Sequence, residues 1–127
     1  MRGMAEQIEK AIVVMITTPN CAEAARLAEM LVQARLAACV QIMPEMESIY
    51  RWQERVERAA EVLLLVKTTE ECFAQLEREV RQAHSYDTPE IVALPVTHAS
   101  APYLAWLVEN AKPHDQRKAA SGDAEEI

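Results

Sequence analysis

Four ionisable side chains, His84, Tyr86, Asp87 and Glu90, fall within seven residues. This spacing gathers nitrogen and oxygen donors on one loop, a set suited to a divalent cation or to proton transfer. The apolar run Ile91 to Val96 follows directly, and a strand anchored in a core would hold such a loop still. Catalysis has little further support: no H-E-x-x-H, serine elbow or paired-thiol motif accompanies the cluster, and a loop is polar for solvation reasons alone. The stretch is therefore the expected place for any chemistry, as a binding surface or as a weakly supported acid–base site.

Two other places could carry chemistry. Lys67-Thr68-Thr69 stands where a strand hands over to a helix, so a helix N-terminus plus a lysine could hold an anion. Glu70 and Glu71 would compete for the same positive end. Cys39 is either a small core residue within a strand or a soft-metal ligand, which would need a second sulfur donor in reach. The remaining thiols, Cys21 and Cys72, stand at expected helix starts. Three cysteines with no C-x-x-C do not make a disulfide framework, and a reducing cytoplasm is the expected location. A net charge of -7 excludes a basic nucleic-acid or anionic-membrane surface.

The elements that must position these residues follow from patterning. Ala11 to Thr18 reads as a buried strand. Asn20, with Glu23 three residues on, caps a helix striped by Ala24, Leu27, Ala28 and Leu31. Ala38 to Met43 is a second strand that bends at Pro44 and resumes from Met46 to Trp52. Gln53-Glu54-Arg55 is the turn before the strand Glu61 to Lys67. Thr68 to Glu71 repeats the capping pattern for a helix striped by Phe73, Leu76, Val80 and Ala83. A fourth strand, Ile91 to Thr97, carries Pro95 and so belongs at an edge. Ser100 caps a last helix packed through Tyr103, Leu104, Trp106 and Leu107. The order is βαββαβ plus a terminal helix, an α+β split βαβ arrangement with a four-stranded antiparallel sheet and two helices on one face. One domain over 10–111 is expected, between a flexible lead-in at 1–9 and a disordered tail at 112–127. Tyr50 and Trp52, on a strand too long for a small domain, either close their own core or meet another chain.

Five blocks resemble the CutA family of divalent-cation tolerance proteins in order and spacing. They are Leu36-Ala37-Ala38-Cys39-Val40, Ser48-Ile49-Tyr50-Arg51-Trp52, Leu65-Val66-Lys67-Thr68-Thr69, Tyr86-Asp87-Thr88-Pro89-Glu90-Ile91 and Leu94-Pro95-Val96-Thr97-His98. Tyr103 to Leu107 extends the likeness. The resemblance implies a ferredoxin-like subunit in a PII-like homotrimer, with the long hairpin reaching a neighbour. It implies a protein that is not an enzyme and acts in the response to metal ions without an obligatory cofactor, Cu2+ or another divalent cation being the usual candidate. An alternative is a PII-like signalling or structural module that recruits a protein partner. Lys67, Tyr86, Glu90 and Trp52 are the expected ligand-binding cleft between subunits, with Cys39 and His84 as candidate metal ligands. Where the family has glycine, this chain has Glu45, Glu54 and Ala99. Ser85 stands in place of a proline, and Ile16 in place of a cysteine that some relatives carry.

Overall fold

A computed structural model describes residues 10–113. The expected lead-in and most of the expected tail lie outside them. The elements are β1 (Ala11–Thr18), α1 (Cys21–Gln33), β2 (Cys39–Ile42), β3 (Met46–Trp52), β4 (Arg55–Thr69), a 3-10 turn (Glu70–Cys72), α2 (Phe73–Ala83), β5 (Ile91–Pro95) and α3 (Ala101–Asn110). All pairings are antiparallel. β1 lies between β4 and β5, while β2 and β3 succeed one another along the outer side of β4. Five strands thus fill four positions, as the bend expected at Pro44 requires. Pro95 is on the edge strand β5, where its missing N–H costs no ladder bond.

Side-chain parity divides the sheet. Val14, Ile16, Leu64 and Val66 point to one face and are fully buried with Leu27 and Leu31 of α1 and Leu76 and Val80 of α2. Val13 and Met15 of β1 and Leu63, Leu65 and Lys67 of β4 point to the opposite face and are only half-buried. Val92 and Leu94 of β5 pair directly with Met15 and Val13, and 44 % and 46 % of their surfaces stay exposed. One face of the sheet is therefore packed and the other is an apolar strip.

Local chemistry met some expectations and corrected others. Asn20 Oδ1 accepts the Glu23 N–H at 2.8 Å, as expected of the cap. Thr69 stands at the N-cap of the 3-10 turn, but neither it nor Thr68 makes a side-chain cap bond: they end β4, where the Thr68 hydroxyl donates to Leu36 O and the Thr69 hydroxyl to Cys72 Sγ. β4 is continuous from Arg55, longer than Glu61 to Lys67, because pairing with β3 outweighs the weak strand preference of Glu57, Arg58, Ala59 and Ala60. In α3, Leu104 and Leu107 are buried, but Tyr103 and Trp106 are exposed and contribute to no core of this chain.

The described residues contain no glycine, and three of them take positive φ. Arg35, at 60°, follows α1 and closes a Schellman motif, with Leu36 N–H donating to Leu31 O and Arg35 N–H to Val32 O. Its guanidinium then donates to the carbonyls of Glu109 and Lys112, satisfying the C-terminal end of α3. Gln53 and Glu54, at 50° and 67°, form a two-residue turn of type I′, because Trp52 already pairs with Arg55. Without glycine such a conformation costs about 1 kcal/mol per residue. Glu45 and Ala99 have no positive φ. Glu54→Gly is accordingly expected to stabilise the protein by about 1 kcal/mol in denaturant unfolding at fixed protein concentration. Glu45→Gly and Ala99→Gly should be neutral or destabilising, and equal stabilisation by all three would refute the turn assignment.

Candidate functional site

Loop 84–90 leaves α2 and returns to β5, and its first residue is held from three sides. His84 is buried. Its Nδ1 accepts the Tyr86 N–H at 3.0 Å, which makes Nε2 the protonated nitrogen that donates to Thr17 O at 2.7 Å. Glu23 reaches the same corner from the first turn of α1. Instead of folding back on its own cap, its Oε2 accepts the Ser85 N–H at 2.9 Å and lies 3.4 Å from His84 Nδ1. Burial pushes the Glu23 carboxyl up, but the hydrogen bonds from Ser85 and, less strongly, the charge of Arg26 bring it below its ordinary value of 4.5. The loop is thus fixed by a carboxylate and an imidazole whose nitrogens are both engaged.

That anchoring aims Tyr86 at the base of β4, where its hydroxyl donates to Glu61 Oε2 at 2.8 Å. Burial first, and then this carboxylate, push the Tyr86 phenol up to about 12, so it remains a neutral donor across the physiological range. Tyr86, Asp87 and Glu90 of the loop, Glu61 of β4 and Tyr50 and Trp52 of β3 line one cleft of about 630 Å³. Beyond Tyr86 and Asp87, a separate groove of about 560 Å³ is lined by Glu77, Arg78 and Arg81 of α2. The cleft combines aromatic rings with acidic groups, and the groove carries arginine.

Of the residues expected from sequence, Trp52, Tyr86 and Glu90 come together in this cleft, and Lys67 does not. Lys67 donates to Gln41 Oε1 at 2.7 Å and lies six residues from Glu61 along β4, roughly 20 Å away at strand rise. Cys39 is paired with Lys67, whose partner on β1 is Val13. Thr17, which holds His84, lies four residues further along β1, about 13 Å on, so Cys39 and His84 are not brought together. No group of three or more His, Cys, Asp or Glu among the described residues is placed to hold a metal ion, and a free His84 nitrogen would require breaking a bond already made. The residues present in one chain therefore do not fit a bare cation. Sequence reasoning missed Glu61 and Glu23. The available signal was a carboxylate of the same strand parity as Lys67 at the entrance to the Val62 to Val66 run.

The acid limb of stability tests the anchor. Because folding lowers the Glu23 carboxyl, its contribution is present above about pH 4.5 and is lost as pH falls through the folded value. Glu23→Gln should cost about 1 kcal/mol at pH 7 in equilibrium unfolding, with the difference from the parent protein vanishing in stronger acid. A difference that is the same at pH 3 and pH 7 would show that the carboxylate charge is irrelevant.

Comparison with known proteins bears on the same elements. The family model described as CutA1 divalent ion tolerance protein matches residues 12–110. The divalent-cation tolerance protein CutA of Thermus thermophilus is 51 % identical over 98 residues, 77 % of this chain and 95 % of that one. The chloroplastic protein CutA of Arabidopsis thaliana is 45 % identical over 76 % of this chain, a match that spans 53 % of the plant protein. Among solved structures, CutA1 from Oryza sativa is similar with a TM-score of 0.80 at 40 % identity, over 84 % of this chain and 97 % of that one. The matching family and the Thermus thermophilus relative are named as tolerance proteins rather than as enzymes. With the family model spanning all of the strands and helices but the first residue of β1, this chain belongs to the CutA1 divalent ion tolerance protein family.

Proposed function

We propose that the protein is a ferredoxin-like, PII-like homotrimer that acts in the response to metal ions by binding a metal ion or small ligand at clefts between its subunits. The observation that carries this reading is the uncovered face of the sheet. Val13, Met15, Leu63, Leu65, Val92 and Leu94 form a contiguous apolar strip with no helix of the described residues over its middle, and contiguous partly exposed apolar surface of this kind is what a subunit interface buries. The hairpin adds to it. From Arg55 to Ala60, β4 pairs only with β3, and an isolated two-stranded ribbon is marginally stable in water. Trp52 near its tip keeps 54 % of its surface exposed, so a neighbouring chain would both cover the aromatic and support the ribbon.

Assembly also gives Lys67 a role that a single chain does not. Its distance from Tyr86 and Glu90 means that they can meet only across a subunit boundary, where the lysine would face the acidic cleft. Any cation site involving Cys39 or His84 would likewise need donors from a second subunit. A second reading, a signalling or structural module that recruits a protein partner without specific metal binding, is favoured by the engaged nitrogens of His84. In either reading the protein is a cytoplasmic binding protein and not a catalyst.

Light scattering on the purified protein at micromolar concentration is expected to give the mass of three 14.3 kDa chains. Leu94→Glu should yield monomer, because each interface would then bury an uncompensated carboxylate. A parent protein that is monomeric would overturn the reading. Calorimetric titration with CuCl2 and MgCl2 separates the alternatives: heat lost on Glu90→Gln supports a cation at the cleft, and no heat from either salt supports the partner-recruiting module.

A further inference from the structure

The cleft contains a demand that the chain itself leaves unmet. Glu61 is only 8 % exposed. Its Oε2 accepts the Tyr86 hydroxyl, whereas no protein donor among the described residues completes Oε1, and a carboxylate has capacity for about four hydrogen bonds. Leaving a buried carboxylate oxygen unpaired is costly unless a donor or a positive charge reaches it, and Glu61 lines the cleft. Asp87 and Glu90 line the same space, so the cleft as a whole is acidic. A single lysine from a neighbouring subunit would neutralise one of these three carboxylates and leave the balance negative.

A naked divalent ion does not answer this demand within a chain. Hard cations take six or more oxygens at about 2.0–2.6 Å, and no group of acidic or imidazole side chains among the described residues converges to that extent. An alkylated ammonium is held by different means. Its diffuse charge rests against ring faces at up to about 6 Å from their centroids, and a desolvated carboxylate attracts it without tight coordination. Tyr86, bonded to Glu61, and Tyr50 line the cleft with that carboxylate, and Trp52 lines its outer end, opposite Arg55 on the β3–β4 ladder; a ring face near a carboxylate is the combination such a group requires.

We infer that the cleft at Tyr50, Glu61 and Tyr86, with Trp52 at its outer end, takes an organic cation, a small alkylated ammonium group, in place of a bare metal ion. This rests on the reading of the cleft as the binding site and names its ligand class. The protein's net charge of -7 would favour the approach of such a ligand.

The test uses Trp52 as its own reporter. The chain has two tryptophans, and Trp106→Phe leaves Trp52 as the sole emitter. Full-length Trp106→Phe protein, checked for unchanged mass and circular dichroism, is titrated at constant ionic strength with tetramethylammonium chloride, with the neutral isostere tert-butanol, and with CuCl2. Tetramethylammonium is expected to change the emission saturably and tert-butanol to leave it unchanged at equal concentration. Tyr50→Leu and Glu61→Gln should each weaken tetramethylammonium binding about tenfold. Equal response to tert-butanol, or undiminished binding in Glu61→Gln, overturns the inference. A CuCl2 response lost in Glu61→Gln while tetramethylammonium is silent keeps the cleft as the binding site and overturns its ligand class. Silence from all three probes overturns both.

Discussion

The antiparallel pairing of β1 with β4 over eight residues is the constraint on which the rest of the molecule depends. Because successive side chains alternate, one register decision sends Val14, Ile16, Leu64 and Val66 to the helices and leaves Val13, Met15, Leu63, Leu65 and Lys67 on the other face. A slip of one residue would bury Lys67 and expose Leu64. The register also determines how the bare face ends. At one end the pair Ala11 and Thr69 is closed off, where α3 lies against β1 and β4. At the other end Thr17 and Glu61 are closed off by the loop carrying His84 and Tyr86. The apolar strip between them is what remains for a neighbour.

Much of this was legible in the sequence, for physical reasons. β1 and the core half of β4 are near-continuous apolar runs, and the stripes of α1 and α2 fall at helical spacing, so hydrophobic patterning gave their positions. The arm was less readable. Arg55 to Ala60 is polar and rich in alanine and glutamate, with no strand signal of its own, and only a partner strand makes it extended. Tyr103 and Trp106 misled in the opposite direction. Large aromatics on an expected helix read as core, yet hydrophobicity does not say whether the same chain or another one covers them.

The candidate site was legible by composition and not by geometry. The loop from His84 to Glu90 advertised its polar groups, and Trp52, Tyr86 and Glu90 do share a cleft. Lys67 was grouped with them through family resemblance, and its distance from them in one chain has no counterpart in the linear sequence. Glu61 was passed over because it reads as the polar first residue of an apolar strand. Glu23 was read as part of a helix cap, a role its backbone N–H does fill while its carboxylate serves the loop. One residue meeting two needs through separate groups is invisible to motif reading, which assigns a role per position.

Glu61 gains significance from where β4 changes partners. From Val62 onward β4 pairs with β1, and up to Glu61 it pairs with β3, so this carboxylate marks the junction between the body of the sheet and the projecting arm. The Tyr86 hydroxyl ties the loop to that same junction. A ligand that engages Glu61 therefore acts on the base of the arm, and a neighbour that grips the arm acts on the wall of the cleft. In the proposed assembly these effects would be reciprocal by linkage: whatever stabilised one arm orientation at a subunit boundary would alter affinity in the cleft by the same factor that occupancy of the cleft altered assembly. The type I′ turn fits the proposed assembly, since strain at Gln53 and Glu54 would be tolerable in a ribbon stabilised by a neighbour and a poor choice in one standing alone.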